Sequence, residues 1–198
     1  MGIKSIRQRT RKEQNKDLLY VAFLRGINVG GNSIIKMSEL KKAFEECGFI
    51  DVKTYINSGN IIFKSELTDK RTIIARLEPS LLKNFNFDSG IVVVTYPQLE
   101  EILAEVPVDW TQTTDLRCYI AFVREPVTVQ DVISAVKLKE GVDFVKAGKG
   151  VVYMTTLLSG ITKSGFTKLV GTRIYKDITI RNYNTIRKLL ELKNKAEG

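Results

Sequence analysis

The sequence contains no histidine among its 198 residues, and this absence removes several catalytic designs at once. Ser-His-Asp and Cys-His catalysis are excluded, as is every metal site that needs an imidazole ligand. A general base would have to be Asp, Glu, Lys, Tyr or Cys. We predict neither a metal site nor a cofactor.

Cysteine is scarce as well, because only Cys47 and Cys118 are present. They lie far apart in the sequence and form no CxxC motif, which argues against a thiolate metal site. Few, unclustered thiols are typical of proteins in a reducing compartment. We interpret both cysteines as structural and place the protein in the cytoplasm.

Long apolar runs are also missing from the sequence. The longest, Leu18 to Leu24, has about a third of the roughly 20 residues that a membrane helix needs. Residues 1–17 contain no apolar stretch of the kind found in a signal peptide. We therefore predict that the protein neither crosses a membrane nor is secreted, and that residues 1–17 form a flexible basic arm.

The net charge of +9 is distributed unevenly along the chain. Residues 1–17 contribute +4, residues 18–116 contribute −3, and residues 117–198 contribute +8. A basic second half is typical of proteins that bind an anionic partner, but lysine-rich surfaces also serve solubility alone. Charge by itself leaves both interpretations open.

An internal repeat indicates the architecture. Residues 19–26, LYVAFLRG, and residues 118–125, CYIAFVRE, share Tyr, Ala, Phe and Arg in register. The period of 99 residues is far longer than a solenoid unit. Each copy is followed by patterns that complete the order β-α-β-β-α-β.

Two such units predict an α+β protein with two ferredoxin-like folds that arose by internal duplication. We assign the first unit to residues 18–95, a connecting segment with a short helix to residues 96–116, and the second unit to residues 117–198. The second unit is predicted to contain a second helix within SGFTKLVGTRIY, residues 164–175. It ends in an additional amphipathic helix, NTIRKLLELKNK.

The first predicted strand runs directly into a glycine-rich loop, RGINVGG. Two of its glycines have the spacing of a P-loop, but Asn32 stands where the phosphate-binding lysine is required, so we do not predict nucleotide hydrolysis. The amides near Gly30 and Gly31 could still form an anion-binding nest, with Arg25 as a bidentate partner. The alternative is that the glycines only allow positive φ at a tight strand exit.

A hairpin turn, Asn57–Asn60, is predicted to lie beside this loop, because the first and third strands of such a unit are antiparallel neighbours. Loop and turn together would gather one guanidinium, small polar side chains and free amides at one edge of the sheet. The candidate ligand-binding residues of this edge are Arg25, Asn28, Gly30, Gly31, Ser58 and Asn60.

A second set of candidates opens the last predicted helix. Arg181, Asn182 and Thr185 follow the final strand, where Asn182 would either cap the helix or help to bind an anion. By strand polarity Arg181 reaches the loop at Arg25 only if the two units pack so as to bring it there. The sequence leaves that packing open.

A rival interpretation treats the second unit as an RNA-binding sheet. Lys149 and Tyr153 match part of the RNP1 pattern, and Tyr119 lies where RNP2 requires an aromatic residue. Two further RNP1 aromatics are absent, since Val151 and Thr156 occupy their places. Nucleic-acid binding through Tyr119, Lys149 and Tyr153 therefore stays as the alternative.

The motifs LRGINVGG, TYINSGNIIF and RNYNT together resemble a bacterial family known as domain of unknown function 1697. The resemblance runs from Leu18 to Leu192 and implies a pair of ferredoxin-like subdomains with no established activity. The signature positions of that family correspond here to Arg25, Gly26, Asn28, Gly30, Gly31, Ser58, Gly59, Asn60, Arg181, Asn182 and Thr185.

Two positions depart from the family pattern. Tyr183 replaces the usual tryptophan, and Gly165 follows Ser164 where relatives commonly carry a lysine. If that lysine contributes to a ligand site, the site differs in this chain.

The leading functional hypothesis is a cytoplasmic binding protein, or an enzyme of unknown type, with a site for an anionic or polar small molecule at the glycine-rich loop. Nucleic-acid binding through the basic second unit is the second hypothesis. The third is that the motifs are purely structural and join the two units.

Overall fold

The structure, a computed structural model, describes residues 18–28, 34–88 and 90–194. The predicted arm at residues 1–17 lies outside these ranges. The strands are β1 (Leu18–Leu24), β2 (Ile50–Tyr55), β3 (Asn60–Ser65), β4 (Ile91–Thr95), β5 (Leu116–Val123), β6 (Asp143–Ala147), β7 (Val151–Leu157) and β8 (Ile178–Asn182). The α-helices are α1 (Met37–Glu46), α2 (Lys70–Phe85), α3 (Tyr96–Ala104), α4 (Val129–Ala135) and α5 (Tyr183–Asn194).

The strands form two four-stranded antiparallel sheets with the same internal order. The first has the order β2-β3-β1-β4 and the second the order β6-β7-β5-β8. The central strands β1 and β5 carry the repeated sequence, so apolar residues fill the most buried position of each sheet. The chain is therefore an α+β protein built on a repeated pattern of elements.

Each sheet buries one face under helices of its own half of the chain. In the first half, which we define as β1–β4 with α1–α3, Phe44, Phe63 and Leu77 belong to that core. In the second half, β5–β8 with α4 and α5, Val132 and Met154 belong to it. Alternation along the strands leaves a second apolar face on each sheet.

The two remaining sheet faces pack against each other and against α3 and α5. The rings of Phe23 and Phe122, the phenylalanines of the two repeat copies, lie 4.5 Å apart between centroids. The hydroxyl of Tyr96 at the start of α3 donates a hydrogen bond of 2.8 Å to the carbonyl of Leu189 in α5. The halves therefore share a continuous apolar core.

The helices α3 and α5 occupy equivalent places, since α3 follows β4 directly and α5 follows β8 directly. Each begins with a tyrosine, Tyr96 or Tyr183, that is buried in the shared core. The sequence interpretation treated the first helix as a connection and the second as an addition. In the structure both belong to the repeated pattern.

The second helix predicted for the second half, at residues 164–175, is not an α-helix. The chain there forms two short 3₁₀ segments, Gly165–Gly171 and Arg173–Asp177, and a third, Leu158–Lys163, comes directly before them. Glycine and β-branched residues weaken a continuous α-helix in this stretch. The carboxylate of Asp143 also accepts hydrogen bonds from the amide of Gly165 and the hydroxyl of Ser164, which holds the backbone at this point.

No helix within the described ranges is long and apolar enough to cross a membrane.

Candidate functional site

Arg181 links the two halves of the chain. From β8 its Nη2 donates hydrogen bonds to the carbonyls of Leu24, at 2.7 Å, and Ser58, at 2.9 Å. Its Nε donates a bond of 2.7 Å to Oδ1 of Asn60. The guanidinium also lies over the ring of Phe23, with 5.5 Å between its central carbon and the ring centroid. Arg181 therefore does reach the turn beside the glycine-rich loop.

Burial lowers the pKa of Arg181 to about 10, so the guanidinium stays charged at neutral pH. No carboxylate within the described part of the chain forms an ion pair with it. Carbonyl and amide oxygens of the first half take the place of water around this cation. An interaction of this kind depends on accurate packing of the two halves.

Asn60 is fully buried and receives Arg181 in a fixed orientation. Its Nδ2 donates hydrogen bonds to the carbonyl of Tyr55, at 3.1 Å, and to Oγ of Ser58, at 2.9 Å. Its Oδ1 is then directed at Arg181. The side-chain groups of Ser58 and Asn60 that we expected to bind a ligand are thus used within the protein.

Gly59 permits the close approach of this turn to β1. Its φ is +71°, and a Cβ atom built there would lie 2.5 Å from Cγ2 of Ile27 and 3.0 Å from Cβ of Leu24. Any larger residue would have to push the turn away from the strand exit.

Asn28 links the exit of β1 to the segment before α1 and to the Asn57–Asn60 turn. Its Oδ1 accepts a hydrogen bond of 2.8 Å from the amide of Ile35, and its Nδ2 donates to the carbonyls of Ile35 and Asn57, each at 3.0 Å. Gly30 and Gly31 lie outside the described residues.

Arg25 also contacts the other half of the chain. Its guanidinium carbon lies 5.6 Å from the centroid of the Tyr175 ring, an arrangement typical of a cation–π contact. The corresponding arginine of the repeat, Arg124, crosses in the opposite direction. It packs on Gly90 and pairs with Asp177 at 3.1 Å.

A pocket of about 540 Å³ opens at the start of α5. We call it the α5 pocket. Trp110, Leu116 and Cys118 line its apolar part, while the polar run Thr111–Thr114 lines its rim. Its volume falls within the range of small-molecule sites.

The α5 pocket carries positive charge and no negative charge among its lining residues. Arg117 and Arg187 supply two guanidinium groups, and both side chains are exposed. Arg187 lies over the ring of Tyr183, with 5.7 Å from its guanidinium carbon to the ring centroid. The N-terminus of α5 adds the positive end of a helix dipole.

Asn182 lies at this pocket, as does the neighbouring Asn184. Oδ1 of Asn182 accepts a hydrogen bond of 2.8 Å from the amide of Asn184, which is the capping role considered from the sequence. Thr185 is half-buried in the first turn of α5 and does not line the pocket. The RNYNT motif is therefore divided, with Arg181 turned to the other half and Asn182 at the pocket.

The burial of Cys118 raises the pKa of its thiol to about 11, so the thiol is protonated at neutral pH. A protonated thiol is a poor nucleophile. Cys118 therefore does not supply an activated nucleophile to the α5 pocket.

The three residues of the RNA-binding alternative do not form one surface. Tyr119 pairs with Met154 and Ile120 with Tyr153, so the two tyrosines lie on opposite faces of the sheet. Tyr153 is 1% exposed, and its hydroxyl donates a bond of 2.8 Å to the carbonyl of Ile102. Lys149 is exposed at the β6–β7 turn. In this arrangement the ring of Tyr153 is not accessible for stacking with a nucleic-acid base.

The departure at Gly165 has a local structural reason. A Cβ atom built there would lie 1.6 Å from the carbonyl oxygen of Lys137, so a lysine does not fit without movement of the backbone. The hydroxyl of Ser164 is bound to Oδ1 of Asp143 at 2.7 Å. Ser164 and Gly165 therefore pack directly against the buried carboxylate of Asp143.

The chain belongs to a family described as "Protein of unknown function (DUF1697)", whose model matches residues 19–153. It is similar to a solved structure titled "The structure of conserved bacterial protein SP0830 from Streptococcus pneumoniae". The identity is 28% and the TM-score 0.78, with 89% of this chain and 98% of the other covered. None of the curated proteins matches the chain.

Proposed function

We propose that the protein binds a small anionic molecule in the α5 pocket. The observation that carries the proposal is that Arg117 and Arg187 both line this pocket, while no aspartate or glutamate lines it. Two guanidinium groups that line one pocket are suited to phosphate or carboxylate groups, which arginine binds through bidentate hydrogen bonds.

The other lining groups fit the same ligand class. The hydroxyls of Thr113 and Thr114 and the side-chain amide of Gln112 can donate to ligand oxygens, whereas the hydroxyl of Thr111 donates to the carbonyl of Val108 at 2.9 Å. Trp110 is held in the wall of the pocket, since its Nε1 donates a bond of 2.7 Å to Oγ1 of Thr155 and the residue is 6% exposed. An apolar part of the ligand would contact Leu116 and Leu158.

The signature residues contribute in two ways under this proposal. Arg181, Ser58 and Asn60 hold the two halves together, as in the purely structural hypothesis. Asn182 caps α5 through the amide of Asn184 and so fixes the start of that helix beside the pocket. Anion binding at Arg25, Asn28, Gly30 and Gly31 stays a separate prediction.

The architecture proposed for this function is a pair of ferredoxin-like units derived by duplication. The equal strand orders and the shared LYVAFLR and CYIAFVR stretches support it. We keep the boundary within residues 96–116, but assign α3 to the first unit because it matches α5. A cytoplasmic location is supported by the two unpaired cysteines, Cys47 and Cys118.

The test is calorimetric titration with inorganic pyrophosphate of the wild type and of Arg117→Gln and Arg187→Gln. Each substitution should raise the Kd about tenfold or more, because a charge-assisted hydrogen bond contributes about 1.5–3 kcal/mol. Arg173→Gln is the matched control, since Arg173 is exposed and lies outside the pocket. Equal affinity in all four proteins would refute the α5 pocket as the site.

A further inference from the structure

A cleft of about 440 Å³ lies between the two halves of the chain. We call it the inter-half cleft. It is lined by α2, β4 and α3 of the first half and by the end of β5 and the β6–β7 turn of the second half. It shares no lining residue with the α5 pocket. Small-molecule sites have volumes of this order and often lie between two packed units.

The lining of the inter-half cleft includes an apolar part. Ile102 of α3 and Phe122 of β5 are buried in its wall. Ile74 of α2 and Val92 of β4 are half-buried and line the cleft from the first half. An apolar group of a ligand placed against them would be removed from water, which favours binding.

Some of the charged lining residues already have partners within the protein. Arg124 forms ion pairs with Asp177, at 3.1 Å, and with Glu78, at 3.8 Å. Glu125 pairs with Arg71 of α2 at 2.6 Å. These contacts neutralise much of the charge that the second half brings to the cleft.

The remaining charged lining residues are two lysines and two glutamates. None of them forms an ion pair within the described ranges: Lys70, Lys149, Glu101 and Glu105. The cleft therefore offers ammonium and carboxylate groups in equal number. A ligand with charge of a single sign would meet like charge in this lining, whereas a zwitterion finds a partner for each of its ends.

One lysine and one glutamate of this set lie near the same side chain, Gln98. Nζ of Lys70 in α2 donates a hydrogen bond of 3.3 Å to Oε1 of Gln98 in α3. Glu101 follows Gln98 by three residues, so the two share one face of α3. Nε2 of Gln98 has no hydrogen-bond partner within the described residues. An ammonium group, an amide donor and a carboxylate thus line one side of the cleft together.

We infer that the inter-half cleft binds an α-amino acid with an apolar side chain. Lys70 and Nε2 of Gln98 bind the carboxylate of the amino acid, and Glu101 binds its ammonium group. Its side chain contacts the apolar part of the lining at Ile74 and Val92. This site is independent of the anion site proposed at the α5 pocket.

The experiment titrates the full-length, ¹⁵N-labelled protein with L-phenylalanine. The amide signals of Val92 and Gln98 should shift progressively, while those of residues 111–114 at the α5 pocket stay unchanged. N-acetyl-L-phenylalanine has no ammonium group and L-phenylalaninamide has no carboxylate, so each should bind about fivefold more weakly or worse. Equal binding of the three compounds would overturn the proposal, as would unshifted amides of Val92 and Gln98 at about 10 mM L-phenylalanine.

Two variants test which residue binds which end of the amino acid. Lys70→Gln should weaken binding of L-phenylalanine about fivefold without weakening that of L-phenylalaninamide, which has no carboxylate. Glu101→Gln should weaken binding of L-phenylalanine to a similar degree without weakening that of N-acetyl-L-phenylalanine. Lys83→Gln is the control, since Lys83 is exposed in α2 outside the cleft, and should bind as the wild type does. Full affinity of either Lys70→Gln or Glu101→Gln for L-phenylalanine would show that the proposal is wrong.

Discussion

Nε of Arg181 donates a hydrogen bond of 2.7 Å to Oδ1 of Asn60, although 121 residues separate them in the sequence. The bond crosses from the last strand of the second half to the third strand of the first. It connects the motifs RNYNT and SGN, and no local sequence pattern indicates that these two motifs are in contact. Both motifs therefore help to hold the two halves of the chain together.

Replacement of the half-buried Arg181 should therefore weaken folding strongly. Arg181→Met leaves the carbonyls of Leu24 and Ser58 without their donors, and each unsatisfied buried group costs about 1–3 kcal/mol. We expect the free energy of unfolding to fall by about 3 kcal/mol, measured by urea denaturation. Arg173→Met should change it by less than about 0.5 kcal/mol. A small effect of Arg181→Met would contradict the joining role.

The turn beside β1 should not tolerate a side chain at Gly59. In Gly59→Ala the new methyl group meets Ile27 at 2.5 Å, in addition to the strain of a positive φ. We expect a loss of about 3 kcal/mol in unfolding free energy. Gly141→Ala isolates the strain, because Gly141 has φ +70° with no atom near the new methyl group, and should cost about 1 kcal/mol. Equal losses would show that packing at Gly59 has no effect.

Asp143 should make stability depend on pH in the acid range. Burial raises the pKa of its carboxyl, but hydrogen bonds from Ser164, Lys139, Gly165 and Thr156 outweigh burial, so the folded-state pKa lies below its ordinary value. A lowered pKa stabilises the fold above the unfolded value of about 3.9 and loses this contribution as the pH falls through the folded value.

The corresponding variant is Asp143→Asn, whose amide group would place a donor against the donors that now surround the carboxylate. We expect it to be less stable than the wild type by about 2 kcal/mol at pH 7. The gap, followed by urea denaturation, should narrow as the pH is lowered below about 4. A gap that is constant down to pH 2.5 would show that ionisation of Asp143 does not stabilise the fold.

Much of the fold could be predicted because local patterns reflect burial. The repeated LYVAFLR and CYIAFVR stretches marked the central strands, and the NSGN turn marked a hairpin. The 3₁₀ region at residues 164–175 was mispredicted as a helix, since the contacts that shape it, from Asp143 and Lys137, come from distant positions. The match of α3 to α5 was missed because the two helices share two identical residues, the first tyrosines and Leu103 with Leu190, and otherwise only an apolar spacing common to many helices.

The α5 pocket could be predicted only in small part. Asn182 was identified from its motif, but Arg117 and Arg187 belong to a strand and a helix with no motif of their own. They meet because β5 and β8 are neighbours, so α5 begins beside the entry to β5. The run TQTT before β5, next to the single tryptophan, was the available signal. The place of this run beside α5 depends on the pairing of β5 with β8, which a local sequence pattern does not indicate.

The most direct test of the central claim is a titration of the ¹⁵N-labelled protein with inorganic pyrophosphate, followed residue by residue. We predict progressive shifts at the amides of residues 111–114 and 182–184, with Gly26 and Asn28 unchanged. Shifts confined to residues 25–31 would contradict the α5 pocket and would favour the glycine-rich loop as the anion site.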